Sequence, residues 1–412
     1  MKNSAMSSRF YRIIRPIVFL LTLTSFPLGL TGCIKTGGPV SISKEPFLVK
    51  LASNQLPVFS DDMNYQGLLE TLDRVIAHLE LIPGEREFAF GEDRFNALHL
   101  LKSMKHFKGF IQTRPATEEL NRFIAAHYRV YRSGQGQGPN PVLFTGYYEP
   151  EIPGSPVETL RYRHPVLSRP TDLLVIDPTF FPMEAQKKTQ VGRLSGNRVV
   201  PYADRREIVR DASFVRKAKP LAWVDDPVSL FFLQVQGSGR VLFPNGKFIR
   251  VQYDTSNGRP YRSIGKYLID TGKITASEMS MQAIRAYLKD HPAEMDDVLD
   301  YNPSFVFFRQ TDEGPMGCLN TKLVPGRAIA SDRSVFPMPA LAFIETLKPR
   351  LDDQGNIETW MPFARFVLNQ DTGGAIQGPK RIDIFWGSGP YAEKAAGHMK
   401  HDGSLYFLVL EP

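Results

Sequence analysis

Three aspartates stand where a carboxylate is hard to place. Asp332 lies among small residues in Arg327-Ala-Ile-Ala-Ser-Asp-Arg-Ser334. Asp371 opens Asp371-Thr-Gly-Gly-Ala-Ile376, where paired glycines permit close backbone approach. Asp383 sits inside Arg381-Ile-Asp-Ile-Phe-Trp-Gly-Ser-Gly389. Read as a strand, that segment puts Ile382 and Ile384 on one face and Arg381, Asp383 and Phe385 on the other. A carboxyl in such a strand is costly unless it is paired or opens to a groove. A salt bridge or a turn is the competing role for each.

Other catalytic patterns are missing. There is no HExxH and no paired CxxC, so no zinc site is expected; His398 and His401 read as a solvated face. Ser238 and Ser388 lack the GxSxG elbow, and Gly265-Lys266 lacks the rest of a phosphate loop. Carboxylates and aromatics remain. Together they suit a sugar polymer, with carboxyls moving protons and ring faces packing on pyranoses. Tyr147, Tyr148 and Trp386 are candidates for that packing, with core aromatics as the alternative. Gln236 and Ser238, in a Gln-Gly-Ser-Gly turn, either bind sugar amides and hydroxyls or only satisfy the turn.

These residues must be held by a β-rich body. Gly and Pro, 32 of each, punctuate runs of Val, Ile, Phe and Tyr. Strands are expected at 142–150, at several places between 151 and 260 including Leu230–Val235 and Gly246–Val251, and at 305–308, 341–347, 363–368, 381–385 and 405–410. Helical spacing runs through 64–81, where Leu68, Leu69, Leu72, Ile76 and Leu79 share a stripe. It recurs at 118–131 after Thr117, with His127 and Tyr131 on the apolar face, at 263–270, and after Ser277 as a cap. The Gly-rich stretch 133–141 reads as a loop without a dinucleotide spacing.

The chain of 412 residues is too long for a disulfide scaffold with two cysteines and too aromatic to be disordered. Its net charge of +7 is concentrated at the start. Residues 1–32 hold Lys2, Arg9, Arg12 and Arg15 and no acid, so the remainder carries 46 bases against 43 acids. That balance gives nucleic acid little to bind. The basic start and the apolar stretch 17–30 read as an export signal, too short to span a membrane. It ends Leu30-Thr31-Gly32-Cys33, similar to a lipoprotein cleavage box, with Cys33 as the acylated residue. Cys318 then has no disulfide partner and reads as a small buried hydrophobe.

The three aspartate segments resemble the C-terminal domain of the membrane-bound lytic murein transglycosylase A family. Further motifs resemble that family in order: Phe144-Thr-Gly-Tyr-Tyr-Glu-Pro150, Val235-Gln-Gly-Ser-Gly239, Tyr261-Arg-Ser-Ile-Gly-Lys266, Ser280-Met-Gln-Ala-Ile-Arg285 and Asn302-Pro-Ser-Phe-Val-Phe-Phe308. The resemblance covers roughly residues 140–411. It implies a mainly β fold with flanking helices, a double-psi β-barrel plus an inserted second β domain, and a substrate groove between them. Its segments would be a signal at 1–32, a tether at 33–55, the barrel from 56–150 and 311–412, and the insert with a helical end at 151–310. It implies cleavage of the β-1,4 bond between N-acetylmuramic acid and N-acetylglucosamine in peptidoglycan, with a 1,6-anhydro end. The competing readings are a peptidoglycan hydrolase and a non-catalytic binding lipoprotein.

By the same resemblance Asp383 is the catalytic carboxyl, with Asp371 beside it, and Thr145 and Asp332 join the substrate contacts. No cofactor is implied. The implied partners are glycan strands, the outer membrane through the lipid, and the cell-wall synthesis machinery. The implied location is the periplasmic face of the outer membrane, because Ile34 rather than Asp follows Cys33. An acid near neutral pH needs a raised pKa. Burial and a neighbouring Asp371 would raise that of Asp383, and Arg381 would oppose them if close.

Overall fold

A computed structural model describes residues 47–134, 141–177 and 189–412. The export signal, Cys33, most of the tether and the Gly-rich stretch 135–140 lie outside the described residues. The leading segment carries β1 (Leu48–Lys50), α1 (Leu68–Leu81), a hairpin of β2 (Glu87–Phe90) and β3 (Asp93–Asn96), α2 (Ala97–Ile111), α3 (Thr117–His127) and β4 (Tyr128–Ser133). Strand β5 (Val142–Glu149) follows. A middle region holds β6 (Glu151–Ser155), β7 (His164–Leu167), β8 (Leu174–Ile176), β9 (Gln190–Ser195), β10 (Arg198–Pro201), α4 (Arg205–Arg210), α5 (Ser213–Lys217), β11 (Pro220–Val224) and α6 (Pro227–Gln236). It continues through β12 (Ser238–Leu242), β13 (Phe248–Ser256), α7 (Ile264–Asp270), α8 (Met281–Asp290), α9 (Met295–Asp300) and β14 (Val306–Thr311). The C-terminal part is β15 (Ala328–Ala330), β16 (Ala340–Leu351), β17 (Ile357–Asp371), β18 (Arg381–Ser388), α10 (Pro390–His398) and β19 (His401–Leu410).

Six strands close a ring in the order β5, β18, β15, β17, β16, β19, and β19 returns to β5. Strand β19 forks, pairing β5 through 401–403 and β4 through 406–410. This is the double-psi barrel, and its wall is apolar: Ile329, Leu341, Phe343, Phe366, Leu368, Ile382, Ile384 and Phe407 are fully buried, Leu341 and Phe343 on the face opposite Phe407. Side chains buried on both faces make these strands near-continuous apolar runs, which is why they were visible in the sequence. The inserted β domain is a second six-stranded sheet, β14-β13-β12-β6-β11-β7, whose edge strands meet at a Ser168–Phe308 bridge. Helices α7 to α9 pack into the barrel's core cluster through Leu268, Ile284 and Leu288 rather than into the insert's own core.

Several local expectations change. Residues 230–235 are helical, in α6, because Asp226 accepts from Val228 N and Ser229 N at 3.0 Å each and Pro227 takes the first helical position. A continuous apolar run does not distinguish helix from strand by itself. Helix α3 stops at His127, and Tyr131 belongs to a strand because Tyr128–Tyr131 pairs with β19. Helix α8 is capped by Ser280, not Ser277, with Ser280 Oγ accepting from Ala283 N at 3.0 Å. Helix α2 adds to the expected helices, and Asn96 caps it by accepting from His99 N at 2.9 Å.

Candidate active site

Strand pairing assembles the carboxylates. Ala330 on β15 is in register with Asp371 on one side and Asp383 on the other. The two aspartates are thus two strand spacings apart, roughly 10 Å between Cα atoms. Asp383 is also in register with Thr145, and Phe385 with Tyr147, on parallel β5. Period-2 alternation then sets Thr145, Tyr147, Asp383 and Phe385 on one face.

Asp383 is 8% exposed. Thr145 Oγ1 donates to its Oδ1. Arg381, two residues earlier on the same face, sends Nε to the same oxygen at 3.2 Å and Nη1 to the Ala375 carbonyl at 3.2 Å. The cation left open by the sequence is therefore in contact. Asp371 receives only neutral donors: Cys318 N and Thr372 N at 2.9 Å each on Oδ1, and Tyr147 OH at 2.9 Å on Oδ2. Burial pushes its carboxyl up to about 6, against the pull of those donors, and the Asp383 charge adds to the rise. The Tyr147 phenol is raised well above its ordinary value by burial and then by Asp371, with Asp383 contributing. One phenol thus lies within the field of both carboxylates.

The other candidates are placed differently. Tyr148 and Trp386 point to the opposite face of the sheet from Asp383, at 4% and 7% exposed, inside the core. A Cβ on Gly146 would come within 2.7 Å of the Trp386 ring and 2.9 Å of Ala396 Cα, so the indole fills the space that glycine leaves beneath α10. Neither ring offers a face to the site. Gln236 ends α6 before left-handed Gly237, at φ 78°, and its Oε1 accepts from Tyr148 N at 3.0 Å. Ser238 is buried at the start of β12. Gln236 thus ties insert to barrel, while Ser238 pairs with Gln252 inside the insert, and the two sit at a helix–strand junction in place of the expected turn.

Asp332 accepts from Ser334 N at 2.9 Å and Ser334 Oγ at 2.6 Å on one oxygen, and from Gly378 N at 2.7 Å on the other. It braces the loop 372–380 that follows Asp371. In that loop a Cβ on Gly374 would meet no atom within 4 Å, so the chain itself makes no close approach there. Cys318 is exposed as a residue rather than buried as expected. Its Sγ lies 3.3 Å from Met338 Sδ, and burial of the thiol pushes it up to about 12. Among the described residues no cluster of His, Cys, Asp and Glu is placed to hold a metal.

Two residues without an assigned role lie where insert and barrel meet. The Tyr261 phenol, from the insert, is raised by burial, and Arg381 and Asp383 both act on it electrostatically, so the insert faces the barrel carboxylate here. Its signal was the Tyr261–Lys266 motif, which named no function. Glu149, 3% exposed, closes β5 against the insert: Arg250 Nε donates to it at 2.8 Å and Arg240 Nε lies 3.5 Å away.

The chain matches two family models, the MltA specific insert domain over residues 143–309 and the 3D domain over residues 327–409. It is similar to the membrane-bound lytic murein transglycosylase A of Vibrio cholerae, 31% identical over 315 residues, 72% of this chain and 76% of that one. The Escherichia coli protein of that name is 32% identical over 274 residues, 66% of each chain. Among solved structures, a membrane-bound lytic murein transglycosylase from Agrobacterium tumefaciens superposes with a TM-score of 0.71 at 31% identity, covering 88% of this chain and 97% of that one. The E. coli MltA with bound chitohexaose gives 0.66 at 27% identity, covering 89% and 95%.

Proposed function

Since the chain belongs to the membrane-bound lytic murein transglycosylase A family, we propose that it cleaves the β-1,4 bond between N-acetylmuramic acid and N-acetylglucosamine and leaves a 1,6-anhydro-muramic end. The observation that carries this reading is the pair of unlike carboxylates flanking Ala330, one bonded to Arg381 and Thr145, the other bonded only to neutral donors. The glycan would lie across Asp383 and Tyr261, between barrel and insert. A relative crystallised with chitohexaose supports a glycan ligand of that kind.

Asp383 gives its proton to the glycosidic oxygen as the bond breaks. The sugar's own C6 hydroxyl then attacks C1, and Asp383 takes that hydroxyl's proton. The attacker belongs to the substrate and has a high effective molarity, so no water and no second nucleophilic carboxyl are needed. Thr145 orients the carboxyl. Arg381 and Thr145 both donate to Oδ1, which leaves Oδ2 to carry the proton. Ionised Asp371 places a negative charge near a transition state with cationic character at C1.

Mass spectrometry of digested sacculi tests the reading. Anhydro ends support it; hydrated reducing ends point to a hydrolase that uses Asp371 as a second carboxyl. We also propose that Cys33 carries the lipid that holds the enzyme at the periplasmic face of the outer membrane, where it takes part in wall turnover. Cys33→Ser should leave the protein unanchored or unprocessed. Normal recovery in outer-membrane fractions would rule the anchor out.

A further inference from the structure

A cavity of about 240 Å³ opens beside the site, between the β2–β3 hairpin and the loops around 318 and 333. Its wall includes Arg86, Glu87 and Phe88 from the leading segment, and Cys318 and Arg333 from the barrel segment. Cys318 joins it to the reaction centre. The residue lines the cavity, and its N–H holds Asp371 Oδ1 at 2.9 Å.

The wall carries two arginines and one acid. Arg86 and Arg333 are exposed, and among the described residues neither takes part in an ion pair. The Arg86 guanidinium lies over the Phe88 ring at 5.3 Å, which orients it. His78 nearby has its imidazole pKa lowered by burial and then by Arg86, so it adds no cation at neutral pH. Glu87 is the one acid in the wall and forms no ion pair among the described residues. The rest of the lining, including Val335, Phe336 and Met338, is largely apolar. Apolar walls with a few polar groups suit a small organic anion, and guanidinium matches carboxylate geometry.

We propose that this cavity binds a carboxylate of the peptide attached to the muramic acid being cleaved, with Arg86 and Arg333 as its partners. The inference rests on the reading of the substrate as peptidoglycan. A peptide of two or three residues spans up to roughly 10 Å, and one residue, Cys318, separates the cavity wall from Asp371. Peptide and glycan can then be held at once, each on its own side of Cys318.

The test uses the full chain in detergent. The value of kcat/KM is measured on uncrosslinked glycan that bears peptides and on the same glycan stripped by an amidase. In parallel, calorimetry measures binding of a lactyl-tripeptide with free carboxylates and of its amidated form. The wild type should prefer peptide-bearing glycan by about tenfold or more, as charged hydrogen bonds contribute. The double variant Arg86→Gln, Arg333→Gln should lose that ratio, mostly through KM, and lose the difference between the free and amidated peptide. Glu87→Gln should move both readouts the other way. Equal loss on both glycans, or a ratio the double variant leaves unchanged, overturns the subsite. Charge-dependent peptide binding in a protein that cleaves neither glycan keeps the subsite and overturns the activity instead.

Discussion

Acidic pairs hold two places on the barrel, and cations are supplied to them unequally. Near the start of β15, Asp61 and Asp62 are answered in full. Asp61 accepts from Arg327 Nη1 at 2.6 Å and Nη2 at 2.8 Å, and from the N–H groups of Met63, Tyr65 and Phe366. Its side chain is 1% exposed and that of Arg327 is 0% exposed. Asp62 takes Arg365 Nε and Nη2 at 2.8 Å each, and Lys348. Burial alone would raise the Asp62 carboxyl, but these cations outweigh it and hold the group below its ordinary value. At the other end of β15 burial acts on Asp371 without a cation, and the carboxyl rises to about 6. Burial therefore does not fix which way a carboxyl moves. The supply of cations sets the direction for Asp62 and Asp371, while Asp383 keeps one cation, Arg381 Nε, at 3.2 Å.

That contrast is most exposed to failure at Asp383. Asp383→Asn keeps the shape and removes both proton transfers, so kcat should fall at least 10²–10⁴-fold with an unchanged thermal melt. Substantial anhydro product from this variant, with Asp371→Asn dead, would move the catalytic role to Asp371. At the paired end the loss should be structural. Asp61→Asn leaves Arg327 buried without its counter-charge and should cost about 3–5 kcal/mol in urea unfolding, with activity per folded molecule retained. A drop in kcat at unchanged stability would erase the distinction between the two ends.

Asp371→Asn should be milder, about tenfold in kcat, the effect of one charge roughly 10 Å away at an effective dielectric near 20. Its pH signature is sharper than its size. The raised pKa means Asp371 is neutral below about 6 and ionised above it. If the ionised form assists, the wild-type rate falls as pH drops through about 6, and this limb vanishes in Asp371→Asn. Linkage runs the other way at the two ends. Asp371 contributes stability in acid that is lost as pH rises from its ordinary value to about 6, whereas the contribution of Asp62 is present above its ordinary value and lost as pH falls below it. Tyr147→Phe should have the smallest effect. The Tyr147 hydrogen bond favours ionised Asp371, so its loss should move the acidic limb upward, by less than about one pH unit. A downward move would remove Tyr147 from this role.

Much of the site was legible because strand alternation is local. Arg381, Asp383 and Phe385 do share a face, and Arg381 does reach Asp383. The same period puts Trp386 with Ile382 and Ile384, and so away from the site, yet both faces of a barrel strand are buried and composition alone does not say which is which. Asp61 and Asp62 were invisible for another reason. Their partners Arg327 and Arg365 lie 266 and 303 positions away, beyond any spacing rule. The helix α6 was hidden by its own uniformity, since an apolar run carries no period.

The pairing of β5 with β18 has a consequence in time. Thr145 meets Asp383 across 238 positions, with the whole insert between them. Contacts so distant close late, because the entropy of the loop must be overcome before they form. A chain still emerging, or one cut before Arg381, holds Asp371 and Tyr147 but no Asp383 for Thr145 to orient. On the role proposed for Asp383, the carboxyl that moves the proton and the hydroxyl that orients it come together only with the last strands to arrive.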